Sequence, residues 1–304
     1  MISSFQSGVT VQKVQTKKTN VIFGESIGKK AFRKLTSKTS TNVCLTIIAI
    51  YVLITILGYV GLLPDFQTRV GGSYEPPSLT IAKILGTDIF GRSILYKILT
   101  GTKTAITIGL LVTAISVPIG VGLGAIAGYY GGKLDGAITW FYSVIISVPY
   151  ILLIMAISWV MGKGMFSICF AMGITSWIGL CRLIRGEFMK HKNREYVMAI
   201  KLMGAKSPLI IYKHILPNVI HLAIISASLS TLSAIKSEVI LTYLGVGIQD
   251  GSSWGTMISD ATGELSTGIW WPLVGVTIAM FVLMYALNIV GDALRDALDP
   301  KIVD

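Results

Sequence analysis

Long apolar windows constrain this chain more than any other feature of its sequence. A helix needs about 20 mostly apolar residues to cross a bilayer. The windows that meet this requirement are Val43–Leu63, Thr104–Tyr129, Gly136–Met161, Met165–Cys181, Ile215–Ile235 and Leu265–Val290. The composition agrees, since only 13% of the residues are charged, whereas soluble domains carry about 25%. We therefore expect an all-α fold, a polytopic transmembrane helical bundle of about six spans.

The lysines and arginines predict the orientation of this bundle. They are dense in residues 1–42 and in the loop 182–214, and sparse in residues 64–103. Loops rich in Lys and Arg stay on the cytoplasmic side of a membrane, so both termini and the 182–214 loop are expected there. The net charge of +11 then reflects membrane orientation, and no nucleic acid partner is expected.

The same pattern divides the chain into segments. We expect a cytoplasmic N-terminal tail (1–42), a first transmembrane helix (43–63), an extracytoplasmic segment (64–103), a core transmembrane domain (104–291) and a cytoplasmic C-terminal tail (292–304). The first apolar run is long enough to span, which favours an uncleaved helix over a cleaved leader.

The sequence contains no phosphate-binding loop of the G-x-x-x-x-G-K-[ST] type. The stretch from Gly24 to Lys30 is one residue too short. Gly120 to Ala125 fits a relaxed G-x-G-x-x-A pattern but lies inside an apolar window. Gly120, Gly124 and Gly128 instead place small residues on one helix face, which favours close helix packing. ATP, if it is used, must be bound by another chain.

Catalytic and metal-binding sites find little support in the sequence. His191, His214 and His221 form no H-E-x-x-H motif, and the three cysteines lie in apolar stretches without paired spacing. The stretch GSSWG at 251–255 fits G-x-S-x-G as a string, but nothing else in the sequence favours a serine hydrolase. The sequence therefore predicts no catalytic residue, no metal site and no cofactor in this chain, and so no enzyme.

The basic loop carries the most specific motif. Residues 194–208 read REYVMAIKLMGAKSP, and residues 215–218 read ILPN. This resembles the "EAA" loop of ABC importer permeases, in which E-A-A, three residues, Gly, ten residues and I-L-P form the coupling helix. The glycine spacing and Ile-Leu-Pro match. The E-A-A triplet is replaced by Met198-Ala199-Ile200, and Glu195 lies one turn earlier.

Three further stretches resemble one branch of that family, the dipeptide/oligopeptide/nickel permeases. GTDIFGRS at 86–93 is similar to G-T-D-x-x-G-R-D, and GYYGGKLD at 128–135 is similar to G-Y-x-G-G-x-x-D. DALRDALDP at 292–300 is similar to D-x-L-R-D-x-L-D-P. Their order and spacing cover nearly the whole chain from about residue 40, and the combination resembles the C-type permease of the pair.

This resemblance implies a type I ABC importer permease in a bacterial or archaeal inner (plasma) membrane. The implied partners are a homologous permease, two ATP-binding cassette ATPases that bind ATP and Mg, an extracytoplasmic substrate-binding protein and membrane lipid. The implied substrates are di- and oligopeptides, carried by alternating access. Nickel or a metal chelate is the alternative substrate. A stand-alone channel or secondary transporter is the alternative class, and it would need ion-pathway charges inside the spans, or broken helices with repeat symmetry.

The resemblance assigns ATPase coupling to the 182–214 loop and the proline that follows it. The residues that carry this assignment are Glu195, Tyr196, Ala199, Ile200, Met203, Gly204, Ala205 and Pro217. Tyr196, Ile200 and Met203 are spaced i, i+4, i+7, which predicts an apolar stripe on a helix over residues 185–203. Gly204 is predicted to end that helix in a left-handed conformation. The alternative is a helix that lies on the lipid headgroups.

Two pairs of ionisable residues have open roles. Lys236 and Glu238 lie near the outer end of the fifth window, where such residues either line a translocation path or extend to the interface. Asp88 and Arg92 are candidates for docking the binding protein. Alternatively, Asp88 caps a helix and Arg92 is solvated.

Overall fold

The computed structural model describes residues 33–162, 164–248 and 251–298. The predicted tails therefore lie largely outside the described residues. The helices are α1 (Thr39–Val60), α2 (Ile94–Tyr130), α3 (Gly132–Ile146), α4 (Tyr150–Met161), α5 (Met165–Gly173), α6 (Ile178–His191), α7 (Glu195–Leu202), α8 (Ser207–Tyr243), α9 (Trp254–Leu265) and α10 (Trp271–Leu298). A short 3-10 helix at Ile81–Lys83 lies between α1 and α2.

The described helices confirm the predicted all-α, polytopic fold. Five are long and apolar enough to cross a membrane: α1, α2, α8, α10 and the stretch Met165–His191 that joins α5 and α6. Helices α3 and α4 pass the same test only together, and they are bent by 89° at the break between them. Counting that bent pair as one span gives six.

The second span begins earlier than the sequence predicts. Instead of Thr104 it starts at Ile94, so residues 94–103, which were expected in the extracytoplasmic segment, form the first turns of the span. Ser93 caps these turns by accepting a hydrogen bond from the Tyr96 backbone N–H at 3.3 Å. Lys97 lies in this stretch and is buried, but its ammonium is paired with a carboxylate. That pairing lets a charged residue occupy a position where hydropathy alone would end the span.

In the 182–214 loop, the helix expected over residues 185–203 is interrupted. Helix α6 ends at His191, and α7 starts at Glu195 after an extended Arg194. Helix α8 then starts at Ser207 and continues past Pro217 into the membrane. Residues Ile210–Ile215 of α8 are π-helical. Pro217 has no N–H and its ring crowds the preceding turn, and a widened π turn just before it accommodates both effects.

The glycine face of α2 packs directly on α6, as the small-residue spacing predicts. A β-carbon at Gly124 would lie 2.6 Å from the Cys181 carbonyl oxygen, and one at Gly128 would lie 2.5 Å from that of Arg185. At Gly120 the corresponding distance to the Trp177 carbonyl oxygen is 2.9 Å. Any larger residue would push the two helices apart. The motif at 120–125 is therefore a packing surface.

The segments 64–93 and 182–214 lie at opposite ends of the bundle. At one end the Lys103 ammonium donates to the Gly58 carbonyl at 3.1 Å, and the Thr104 hydroxyl donates to the Ser252 carbonyl at 3.2 Å. At the other end Ala125 of α2 packs with Ile211 of α8. Helix α8 reaches both ends.

Candidate functional site

Helix α7 is fixed to the bundle by apolar contacts. Val197 is buried and packs in a cluster with Phe188 of α6 and Ile210, Ile211 and Ile215 of α8. All five side chains are nearly inaccessible. Because these contacts come from three helices, they hold the corner between α6, α7 and α8 in a defined shape.

The predicted stripe on α7 divides into two parts. Tyr196 and Ile200 are half-buried against the same apolar cluster, and the Tyr196 hydroxyl lies 2.9 Å from His191 Nδ1. Met203, by contrast, is 80% exposed, and the neighbouring Leu202 is 89% exposed. Tyr196 and Ile200 therefore pack α7 against the bundle. The tip of the helix presents the uncovered apolar side chains.

The other predicted coupling residues lie along α7, just after it, and in the following span. Glu195 and Ala199 are exposed on α7, Ala205 is half-buried, and Pro217 is exposed. Gly204 has a φ of 84°, a left-handed conformation that glycine adopts without strain. A β-carbon there would meet no atom of the chain within 4 Å. The expected backbone conformation is thus present at Gly204, and the space around it is open.

The sequence analysis missed an ion pair that supports this corner. Asp135, the last residue of the GYYGGKLD stretch, accepts two hydrogen bonds from the Arg185 guanidinium, at 2.5 and 2.7 Å. The pair joins α3 to α6. Its signal in the sequence was an acid in the first turn of one helix and an arginine some fifty residues later, and spacing alone does not pair such residues.

A cavity of about 590 Å³ lies between the α3–α4 bend, the α5–α6 break and α8. Its polar lining is mainly hydroxyl groups, and four of them belong to serines of α8. The sequence analysis did not single out these serines, because serine in an apolar helix carries little hydropathy signal. The regular spacing of these serines along α8 is the sequence signal that was available.

Lys236 and Glu238 lie in different surroundings. Lys236 is exposed on the surface of the bundle. Glu238 is fully buried; one carboxylate oxygen accepts from the Thr242 hydroxyl at 2.9 Å, and the other has no hydrogen-bond partner among the described residues. Neither residue lines the cavity that contains the four α8 serines, which we call the serine cavity. Of the two, Lys236 has the exposure that contact with a substrate or a partner subunit requires.

Asp88 and Arg92 form a buried ion cluster with Lys97. Asp88 is 3% exposed, and its carboxylate lies 2.7 Å from the Arg92 guanidinium and 3.2 Å from the Lys97 ammonium. It also accepts from the backbone N–H groups of Phe90 and Arg92. Burial alone would raise the pKa of Asp88, but these donors and cations together hold it below its usual value. Asp88 is therefore enclosed by its own hydrogen-bond and ion-pair partners, and Arg92 is the more accessible of the two.

The chain matches one protein family over most of its length. Residues 120–304 match the family described as binding-protein-dependent transport system inner membrane component. The chain is 38% identical to the dipeptide transport system permease protein DppC of Bacillus subtilis over 218 residues, which cover 71% of this chain and 68% of that protein. It is 35% identical to the oligopeptide transport system permease protein OppC of the same organism over 279 residues, which cover 91% and 90%.

A solved structure has a similar fold. It is described as inward facing conformations of the MetNI methionine ABC transporter, and it superposes with a TM-score of 0.50 on 67% of this chain and 94% of its own. At 16% identity this likeness bears on the fold alone.

The bent α3–α4 pair is a broken span, but one such pair is not the repeat symmetry expected of a stand-alone transporter, and the family decides the class. The chain belongs to the binding-protein-dependent transport inner membrane components: it is a multi-pass inner-membrane permease subunit of an ABC importer, homologous to the DppC and OppC permeases and not itself catalytic.

Proposed function

We propose that this chain forms, with a second homologous permease, the translocation path of an importer for di- and oligopeptides. The support for peptides is the identity of 35–38% with permeases of dipeptide and oligopeptide transport systems. Nickel or a metal chelate is the competing substrate. The lining of the serine cavity disfavours a bare metal ion, because its described residues offer hydroxyl groups and one arginine but no carboxylate or imidazole.

The observation that carries the coupling role is the exposed apolar tip of α7. Leu202 and Met203 project from a helix whose base is fixed by Val197. Seated helices that present apolar side chains fit a hydrophobic groove on a partner. We assign this groove to an ATPase subunit, which binds ATP and Mg. The predicted coupling residues from Glu195 to Ala205, with Pro217, surround the contact.

The orientation follows from the same assignment. The 182–214 segment, which carries the ATPase contact, faces the cytoplasm together with both termini, and the segment 64–93 faces outward. Arg92, which is accessible at the outward end, is a contact for the substrate-binding protein, and Lys236 lines the path between the two permeases. ATP binding moves α7, and the helices rock between inward- and outward-open arrangements.

Reconstitution tests the substrate. The complete transporter is purified from its native membrane through a tag on this chain and placed in vesicles with its binding protein. ATP-dependent uptake of labelled di- and oligopeptides is expected, with ATPase subunits among the co-purified chains. Uptake of nickel but not of peptides would overturn the peptide assignment in favour of nickel. Purification without any ATPase would remove the coupling role.

Accessibility tests the orientation. A single cysteine at Ser73 should react with an impermeant thiol reagent applied to intact cells, and one at Ser207 should react only after the membrane is opened. Reaction of both from outside would reverse the topology.

A further inference from the structure

The cavity of about 590 Å³ lies where two helices lose their regular backbone. Helices α3 and α4 meet at an 89° bend around Ser147–Pro149, and α5 and α6 are separated by residues 174–177. The two irregular stretches face each other, and the Tyr150 hydroxyl lies 3.0 Å from the Ser176 hydroxyl. Irregular backbone at membrane depth is stable only where protein or a water-filled cavity covers it. The two breaks therefore depend on the cover that the surrounding helices and the cavity supply.

The third wall of the cavity is one face of α8. Ser226, Ser230, Ser233 and Ser237 all line it. Their spacing is i, i+4, i+7, i+11, which places all four on one side of a helix. The serines thus form a ladder of hydroxyl groups along the cavity.

The ladder hydroxyls are not used by the protein itself. Serine and threonine in membrane helices commonly donate to the carbonyl one turn earlier. Thr231 on the same helix does so, donating to the Ala227 carbonyl at 3.0 Å, and it also pairs with the Thr113 hydroxyl at 2.9 Å. None of the four ladder serines makes a side-chain hydrogen bond with another described residue. Their donors and acceptors are free for water or a solute.

The dimensions of the ladder fit an extended peptide. At 1.5 Å per residue, serines four positions apart are separated by about 6 Å along the helix. In an extended chain, carbonyl groups on the same edge repeat every two residues, which is about 6.6 Å. The whole ladder, about 16 Å long, matches about five extended residues. A hydroxyl both donates and accepts, so it can bind either a C=O or an N–H of the main chain.

We propose that the serine ladder of α8 is the surface of this chain that contacts the peptide during passage, through the peptide main chain rather than its side chains. This inference rests on the proposed peptide substrate and adds the residues that recognise it. Recognition of the main chain allows passage of peptides of many sequences, because every residue offers the same C=O and N–H groups. Arg182, which also lines the cavity, adds a cation that repels a bare metal ion and attracts a peptide carboxylate.

Substrate protection of introduced cysteines tests the ladder. The chain's own Cys44, Cys169 and Cys181 are buried, so a hydrophilic thiol reagent should label mainly an added cysteine. Ser230→Cys and Ser233→Cys are nearly isosteric and should assemble normally, which co-purification of the sister permease verifies. Ser228→Cys is the matched control, because Ser228 does not line the cavity and instead faces α10, where a β-carbon added at Gly291 would lie 3.9 Å from the Ser228 Cβ.

In vesicles containing the complete transporter, a saturating transported tripeptide should slow labelling of Ser230→Cys and Ser233→Cys about tenfold, whatever its side chains, and leave Ser228→Cys unchanged. Unchanged labelling of the ladder positions, in a preparation that takes up the tripeptide, overturns the ladder while leaving the peptide importer intact. Absence of tripeptide uptake by the wild-type transporter overturns the proposed function, and the ladder with it.

Discussion

The segments 64–93 and 182–214 occupy opposite ends of the bundle and are held in place by different forces. The first is fixed by directional polar contacts: the Asp88–Arg92–Lys97 cluster, and the Trp271 indole N–H donating to the Thr87 carbonyl at 3.1 Å. The second is fixed mainly by the apolar cluster around Val197. Both expose apolar side chains, such as Leu79 and Met203, so exposure alone does not distinguish them.

The difference bears on motion. Charge pairs and hydrogen bonds depend steeply on distance and angle, so the segment 64–93 has one stable arrangement. Apolar contacts are non-directional, so the cluster around Val197 can shift as one body while the corner keeps its shape. We propose that the 64–93 end is a fixed platform and that the 182–214 end is the part that moves with a partner. The following predictions test that distinction.

The largest effect is expected at Gly204. Gly204→Asp adds a charge and a side chain that points into the open space beside the tip of α7, where we place the ATPase groove. Uptake should be abolished and ATPase co-purification reduced, while the chain still inserts and pairs with its sister permease. Gly204→Asn is the control, because asparagine tolerates a left-handed backbone and carries no charge; it should retain part of the uptake. Normal uptake and ATPase binding by Gly204→Asp would favour a helix lying on lipid.

Asp88→Asn should reduce stability and leave ATPase binding unchanged. It removes the nearer of the two carboxylates paired with Lys97, whose side chain is 9% exposed, and leaves the exposed Asp260 at 3.9 Å; breaking a buried pair costs about 3–5 kcal/mol. The measurement is thermal unfolding of the purified transporter. Asp296→Asn is the control, because the Lys38–Asp296 pair is exposed and 3.8 Å apart, and its loss should cost about 0–1 kcal/mol. Equal effects of the two substitutions would contradict a platform fixed by buried charges.

Asp135→Asn tests the polar contact at the mobile end. It weakens the bidentate pair with Arg185 and should cost about 1.5–3 kcal/mol of stability, typical of hydrogen bonds to charged groups. Because the pair joins α3 to α6, the ATP dependence of uptake should also weaken. Arg185→Lys is the companion variant. It should retain only part of the stability that the pair contributes, since lysine cannot bind both carboxylate oxygens in a fork. An unfolding temperature unchanged by either substitution would show that the apolar cluster alone holds the corner between α6, α7 and α8.

Met203→Ser should weaken ATPase association without destabilising the chain. Met203 is largely exposed, so its apolar surface contributes to a partner contact rather than to the core. A loss of about 1–2 kcal/mol is expected, which is a five- to thirtyfold weaker association. Titration of the ATPase onto the reconstituted permease pair measures it. Lys201→Ser, an exposed change on the same helix, serves as control. A drop in unfolding temperature without weaker association would place Met203 in the core.

Glu195→Ala should have the smallest effect. Glu195 is exposed in the first turn of α7, where an acid stabilises a helix by about 0.3–1 kcal/mol. The acid of the E-A-A triplet is already missing at Met198, so Glu195 is not expected to be its full replacement. Uptake in cells should fall by less than about half. Loss of uptake comparable to that of Gly204→Asp would make Glu195 the functional acid of this loop.

Hydropathy and small-residue spacing predicted most of the fold, since both act locally. The spans, the glycine face of α2 and the left-handed Gly204 follow from short stretches of sequence. The early start of α2 does not, because it depends on pairing of Lys97 with Asp88 in a preceding turn. The breaks at residues 147–149 and 192–194 were missed for a related reason: apolar content is the same on both sides of a bend.

The candidate site was predicted unevenly. The sequence located the 182–214 loop. It did not show which residues of the loop pack against the bundle, because Tyr196, Ile200 and Met203 share one helical face and differ only in what covers them. Glu238 and Lys236 show the same limit, since burial of the first and exposure of the second depend on neighbouring helices. The serine ladder had a readable spacing, but its meaning depends on a cavity formed by three other elements.

Helix α8 has a mechanical consequence of its own. Its 37 residues make a helix about 55 Å long, which includes the π-helical turn at Ile210–Ile215 and runs from beside the tip of α7 to beside the Asp88 platform. With the Asp88 end held, a tilt of about 5° displaces the α7 end by about 5 Å. We infer that a push of this size at the ATPase contact reaches the cavity as a small tilt of the whole serine face.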